Sequence, residues 1–209
     1  MMRLILIRAG VWAADARSRA GHRVAWSIAW ICCWSLAPAA YALDDNGPSF
    51  SYYVATAVPD KSLQSILNAA SPIHHDGKVF FGHTDWYVRW NMWWLEEPQG
   101  SCRITKVNAK VSGMITLPRL VNATTAQQDL FNSLVAALRV HELGHYEIAR
   151  KAAADIESGI LSMPQMHSCT ALEAAANERG AETLDQYKAI ERKYDVDTDH
   201  GRTQGAWID

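Results

Sequence analysis

Residues 140–145 read Val-His-Glu-Leu-Gly-His. Histidines four apart share one face of a helix. Two imidazoles at that spacing can hold one Zn²⁺ through ring nitrogens at roughly 2.0–2.1 Å. Glu142 sits about 100° round the helix from His141. From there it can reach a water on the metal without ligating the metal, which suits a general base. The motif His141-Glu142-x-x-His145 therefore predicts a zinc hydrolase, with a peptidase as the first expectation. Five such letters also occur by chance, so the surrounding residues matter. Between Thr125 and Glu157 there is no proline and one glycine, Gly144. Leu130, Leu134, Leu138, His141 and His145 recur at spacings of three and four, and Ala149, Ala152 and Ala153 continue the stripe. Histidines and a glutamate on an otherwise apolar stripe need partners when buried. A metal ion would supply one.

The elements that must position this helix are legible in outline. Arg3, Arg8, Arg17, Arg19 and Arg23 precede an uncharged apolar run from Val24 to Leu36, and Ala40 and Ala42 give a small-x-small cleavage site. Residues 1–42 read as a secretory signal peptide, too short in its apolar part for a comfortable membrane span. Its removal leaves 167 of the 209 residues, enough for one domain, 43–209. The leader holds five Arg against one Asp, so the whole-chain charge of −2 becomes −6 in the mature chain. That chain shows no basic stripe, so nucleic acid is not an expected partner, and no second apolar run approaches membrane length. Cys102 and Cys169 are the only mature cysteines. An even pair in an exported chain predicts a disulfide.

Residues 49–57 are aromatic and β-branched and predict a strand; Leu63, Ile66 and Leu67 predict a helix closed by Ser71-Pro72. His74 and His75 fall in a polar loop. Lys78 to Phe81 is a short strand. Thr84, Trp86, Val88, Trp90, Met92 and Trp94 alternate along one face of a longer one, and Cys102 to Thr116 alternates again, with Gly113 as a candidate bulge. The four tryptophans of residues 86–94 are read as packing the sheet onto helices. A second long helix is expected from about Thr170 to Arg192, followed by an acidic, glycine-rich tail. Asn122-Ala123-Thr124 matches a glycosylation acceptor and carries no functional weight.

Several pieces in order resemble an uncharacterised bacterial family of predicted secreted zinc-dependent proteases. They are Tyr52, Tyr53 and Val54 as the opening, Gly82-x-Thr84-x-Trp86-x-Val88-x-Trp90, Cys102 before a strand, Leu117-Pro118, the His141-Glu142-x-x-His145 helix, and Cys169. The most specific is the closing Tyr194-Asp195-x-x-Thr198-x-His200-Gly201. The resemblance covers nearly the whole mature chain. One departure is local: Arg139 and Glu147 stand where peptidase versions of the motif usually carry uncharged and hydrophobic residues.

The expected fold is α+β and zincin-like: a small antiparallel sheet packed on the motif helix and a second C-terminal helix. Substrate would lie along an edge strand. A catalytic zinc usually has three protein ligands. His200, in the most distinctive segment and beside Gly201, is the expected third. Glu178, in the middle of the second helix, is its rival. Glu173, His83 and His167 are weaker candidates. Tyr194 or Arg202 could stabilise an oxyanion. The functional expectation is a secreted or periplasmic Zn²⁺-dependent peptidase acting on a peptide or protein, with Glu142 as base. Two alternatives stay open: a zinc-containing envelope binding or scaffold protein, and a hydrolase of non-peptide cell-wall amides.

Overall fold

The computed structural model describes residues 47–208, so the expected leader lies outside the described residues. The elements in chain order are β1 (Ser49–Thr56), α1 (Leu63–Ala70), β2 (Ile73–His75), β3 (Lys78–Phe80), β4 (His83–Glu96), β5 (Cys102–Val121), α2 (Thr125–Leu161) and α3 (Cys169–Thr198), with a short 3₁₀ turn at Arg202–Gln204. The architecture is α+β. Its main sheet runs β1-β5-β4.

That sheet is mixed, not antiparallel throughout. β4 and β5 form an antiparallel hairpin, whereas β1 lies parallel to β5, with Ser49 opposite Met114 and Thr56 opposite Val121. No hairpin joins β1 to β5. The chain between them makes α1, β2, β3 and β4 first, and such a crossover lets parallel strands pair. His74 and His75, expected in a loop, pair within a separate two-stranded sheet of β2 and β3. Its turn places Asp76 at φ 46° and Gly77 at φ 75°, the left-handed pair that a tight hairpin turn requires.

The inner face of the β4–β5 hairpin packs Trp86, Val88, Met92, Val107 and Ala109 against Ala149, Ala152, Ala153 and Ile156 of α2 and Leu172, Ala176 and Leu184 of α3. The alanines let the helices approach closely. A second apolar cluster joins Ala55, Leu63, Leu67, Ile115 and Leu117 to Phe131, Leu134 and Leu138 of α2. Leu130, expected on the apolar stripe, is 58% exposed, and Phe131 faces the core in its stead. The sheet irregularity falls at Trp93/Trp94, not at Gly113. Gly113 instead admits the Tyr146 ring, since a Cβ there would stand 2.6 Å from Tyr146 Cδ2. Trp86 is buried and Trp90 and Trp94 pack against the core. Trp93 is exposed, with Lys106 Nζ 5.0 Å from its ring centre.

Helix α2 starts with a reciprocal cap. Thr124 Oγ1 accepts from the Gln127 N–H, and Gln127 Oε1 accepts from the Thr124 N–H. The Thr124 hydroxyl thus belongs to a cap. Arg139 and Glu147 both lie on the exposed side of α2, so the departures from the peptidase pattern face solvent. α3 outruns its expected end by six residues, to Thr198. Cys102 and Cys169 are joined, which ties the start of β5 to the first residue of α3. No helix among the described residues is long and apolar enough to cross a membrane.

Candidate metal centre

One face of α2 presents His141, Glu142 and His145, each 4% exposed. The facing stretch of α3 presents Glu191 and Asp195, four residues apart and buried. Three donor atoms converge. His141 Nε2 and His145 Nε2 are 3.3 Å apart. Asp195 Oδ1 lies 3.3 Å from the first and 3.0 Å from the second. Bonds of roughly 2.0–2.1 Å to a tetrahedral ion imply ligand–ligand edges of about 3.3–3.4 Å. The three atoms therefore form one nearly equilateral face of a tetrahedron of the right size. Two imidazole nitrogens and a carboxylate oxygen are a donor set that zinc accepts.

His200, expected as the third ligand, is outside this set, and Asp195 stands in it. The reason is the extension of α3. Continued helix puts Asp195 one turn after Glu191, facing α2. His200 falls beyond the helix end in left-handed backbone, φ 52°. Its Nδ1 is 3.8 Å from Asp195 Oδ1, and its ring rests 5.1 Å from that of Phe80. Glu178 is exposed on α3. His83 is engaged by Asp85 at 3.3 Å, and the Asp85 carboxylate raises its pKa, against an opposing effect of burial. His167 is exposed near the disulfide.

The other residues of the closing signature surround His141. The Tyr194 ring stacks on the imidazole, centres 5.1 Å apart and planes 12° apart. Its hydroxyl donates to the His141 carbonyl at 3.2 Å and accepts from Gln204 Nε2 at 3.1 Å. Tyr194 is thus committed behind the histidine and is not among the residues lining the cleft. Gly144, inside the motif, leaves the room that Tyr194 occupies. Gln204 Oε1 faces His141 Nδ1 at 3.0 Å. Thr198 Oγ1 accepts from the Gly201 N–H at 3.2 Å. Gly201, at φ 85°, lies against His141, where a Cβ would come 2.9 Å from the ring carbon Cγ. Both its conformation and its closeness require glycine.

Glu142 is held from the sheet side. The Thr84 hydroxyl donates to Glu142 Oε2 at 2.6 Å. Gly82 lets the carboxylate in, since a Cβ there would be 2.6 Å from Oε1. Burial pushes the Glu142 pKa up, and the neighbouring His145 and the Thr84 hydrogen bond only partly offset it. A raised carboxyl pKa suits a group that takes up a proton. Burial would by itself raise the Asp195 pKa, but the two histidines outweigh it and hold the carboxyl well below the usual range. Burial would by itself lower His145, yet Asp195 and Glu191 push it up to about 10. These values describe the metal-free site, where protons serve as counter-charge.

The site opens into a cleft of about 840 Å³. Glu142, His141, His145, Asp195, His200 and Arg202 all border it. Arg202 lies 3.6 Å from Asp199 and over the Trp207 ring at 4.3 Å. Asp195, Glu191, Thr84, Gly82 and Gln204 were not singled out by spacing for these roles. Leu184, Tyr187, Glu191, Asp195 and Thr198 do recur at three and four, a stripe that could have flagged the two acids.

No curated protein and no solved structure matches this chain. A family described as bacterial protein of unknown function (DUF922) matches residues 50–201, a span that runs from β1 through the motif helix to Gly201 against His141, and the chain belongs to that family.

Proposed function

We propose that this protein is an exported zinc-dependent hydrolase, built on a zincin-like plan and acting on peptide bonds. The observation that carries the reading is the Nε2, Nε2, Oδ1 triangle with edges of 3.0–3.3 Å beside a buried carboxylate that is not part of it. Zinc bound by His141, His145 and Asp195 would supply a Lewis acid and lower the pKa of water to about 7. A closed structural site needs a fourth protein ligand, and the set here has three donors facing a cleft. Glu142, oriented by Thr84, takes the proton from the attacking water and returns it to the departing amine. Burial favours that uptake. The start of β4 borders the cleft at the sheet edge, where an extended peptide can add as a strand. Arg202, on the cleft wall, is the cation we assign to a developing oxyanion. Export is supported by the leader-like composition of residues 1–42 and by the Cys102–Cys169 bond, which suits an oxidising compartment.

The test is metal analysis of the mature protein together with cleavage of a broad peptide library, wild type against Glu142→Gln. Both proteins should hold one zinc per chain. Cleavage should fall by at least about 10²-fold in the variant, the usual cost of losing a general base. Zinc-free wild type, or a variant that cleaves at the wild-type rate, would refute the reading.

A further inference from the structure

The chemistry above leaves one buried acid beside the donor triangle, Glu191, without a task. Glu191 is 4% exposed and lies one turn before Asp195 on α3. A carboxylate in such a place is costly unless its oxygens are engaged. Its Oε1 accepts from Trp86 Nε1 at 2.7 Å. The same oxygen lies 3.4 Å from His145 Nδ1. Among the described residues that nitrogen has no other polar partner, and it is shut off from water. His145 Nε2, on the opposite side of the ring, is the atom that faces Asp195 and His141.

The arrangement has a direction. Trp86 on β4 fixes Glu191 on α3, and Glu191 faces the outer nitrogen of His145 on α2. A carboxylate there favours the proton on Nδ1, which leaves the Nε2 lone pair turned toward the donor triangle. It also makes the imidazole a stronger donor. His141 is served differently: its Nδ1 faces the neutral amide oxygen of Gln204 at 3.0 Å. The two histidines thus have unlike supports, one a carboxyl group and one an amide.

We propose that Glu191 is the positioning residue of the metal centre, setting the tautomer and basicity of His145, with Trp86 as its anchor. This rests on the metal reading given above and adds to it the residue that tunes affinity.

The fold supplies a control. Trp90 Nε1 donates to Asn177 Oδ1 at 3.1 Å. It joins the same two elements, β4 and α3, by the same kind of indole hydrogen bond, with no contact to the site. Zinc and cobalt affinities should be measured by competition with a chelator on the mature protein. The visible spectrum of the Co²⁺ form should be recorded for wild type, Glu191→Gln, Trp86→Phe and Asn177→Ala. Glu191→Gln keeps the shape and an acceptor for Trp86, so it should fold. It should lose about 10–100-fold in metal affinity, the usual effect of an outer-shell partner, and shift the Co²⁺ bands. Trp86→Phe should lose less, and it decides the matter if Glu191→Gln does not fold. Asn177→Ala should lower the melting temperature with metal affinity unchanged. Wild-type affinity and an unshifted spectrum in Glu191→Gln would overturn the proposal. So would an equal loss in Asn177→Ala, which would make the effect one of general stability. A wild type that binds no metal at all would remove the metal reading itself, and this one with it.

Discussion

At the scale of single residues, the site is made as much by missing side chains as by present ones. Gly82 is the sharpest case. It precedes Thr84, which holds Glu142, and its own lack of a Cβ is what lets the carboxylate sit there. Gly82→Ala would push Glu142 Oε1 from a position 2.6 Å away. The glutamate can rotate, whereas the candidate ligands His141, His145 and Asp195 are not among the atoms nearest to that Cβ. Metal content should therefore stay at the wild-type level while hydrolysis drops, on the order of 10²-fold for a base misplaced by an ångström. Loss of metal and activity together would show that Gly82 supports the fold and not the base. The glycines also show what spacing alone can reveal. His141, Glu142 and His145 were legible because the geometry that joins them is local, within one helical turn and a bit. Gly82, Thr84 and Gln204 act across 58 to 63 residues of chain on their partners or nearly so, and nothing in their neighbourhoods marks that.

At the scale of elements, the decisive feature is the last six residues of α3. Asp195-Val196-Asp197-Thr198 is poor in helix formers, so it reads as tail. Lys193 pairs with Asp197 at 2.7 Å on the solvent side, and Tyr194 stacks on His141 on the inner side. Those contacts carry the helix on to Thr198. That extension turns an acid of the tail into the third donor and leaves His200 past the helix end. The strands were easier, because alternation along β4 needs no partner to be visible. The parallel pairing of β1 was not, since it depends on a crossover. The start of α3 is held by the disulfide, 67 residues along the chain from its partner in β5. Replacing both cysteines by serine frees that loop in the unfolded chain and should cost about 4 kcal/mol in the chain-entropy picture. Denaturant unfolding of the double variant checks this. Native protein with two alkylatable thiols would show instead that the bond does not form.

At the scale of the whole molecule, two apolar clusters meet along α2, and the polar site lies where they join. Leu138 ends one cluster and Ala149 begins the other, with His141, Glu142 and His145 between them. α3 closes the seam with Glu191 and Asp195. Three buried carboxylates and two imidazoles there demand a counter-charge. On the proposed reading a bound zinc would supply it, and without one a proton on His145, whose pKa is pushed up to about 10, does so. A group raised on folding contributes stability that is complete below its unfolded pKa, roughly 6.5 for histidine. That contribution is lost as pH rises through the folded value. The metal-free protein should thus weaken steadily from about pH 6.5 toward about 10. Over the same range protons compete less with zinc for the histidines, so metal affinity rises. At free zinc 100 times the dissociation constant, the loaded form gains about 2.7 kcal/mol over the stripped one. Melting curves of zinc-loaded and chelator-stripped protein from pH 6 to 10 should therefore diverge, the stripped form falling while the loaded form holds. Hydrogen exchange should locate the loss in the C-terminal turns of α3, because the charged link from Asp195 to the two histidines of α2 is the one that depends on the metal or the proton. Superimposable melting curves across that range would mean that no ion links the two helices.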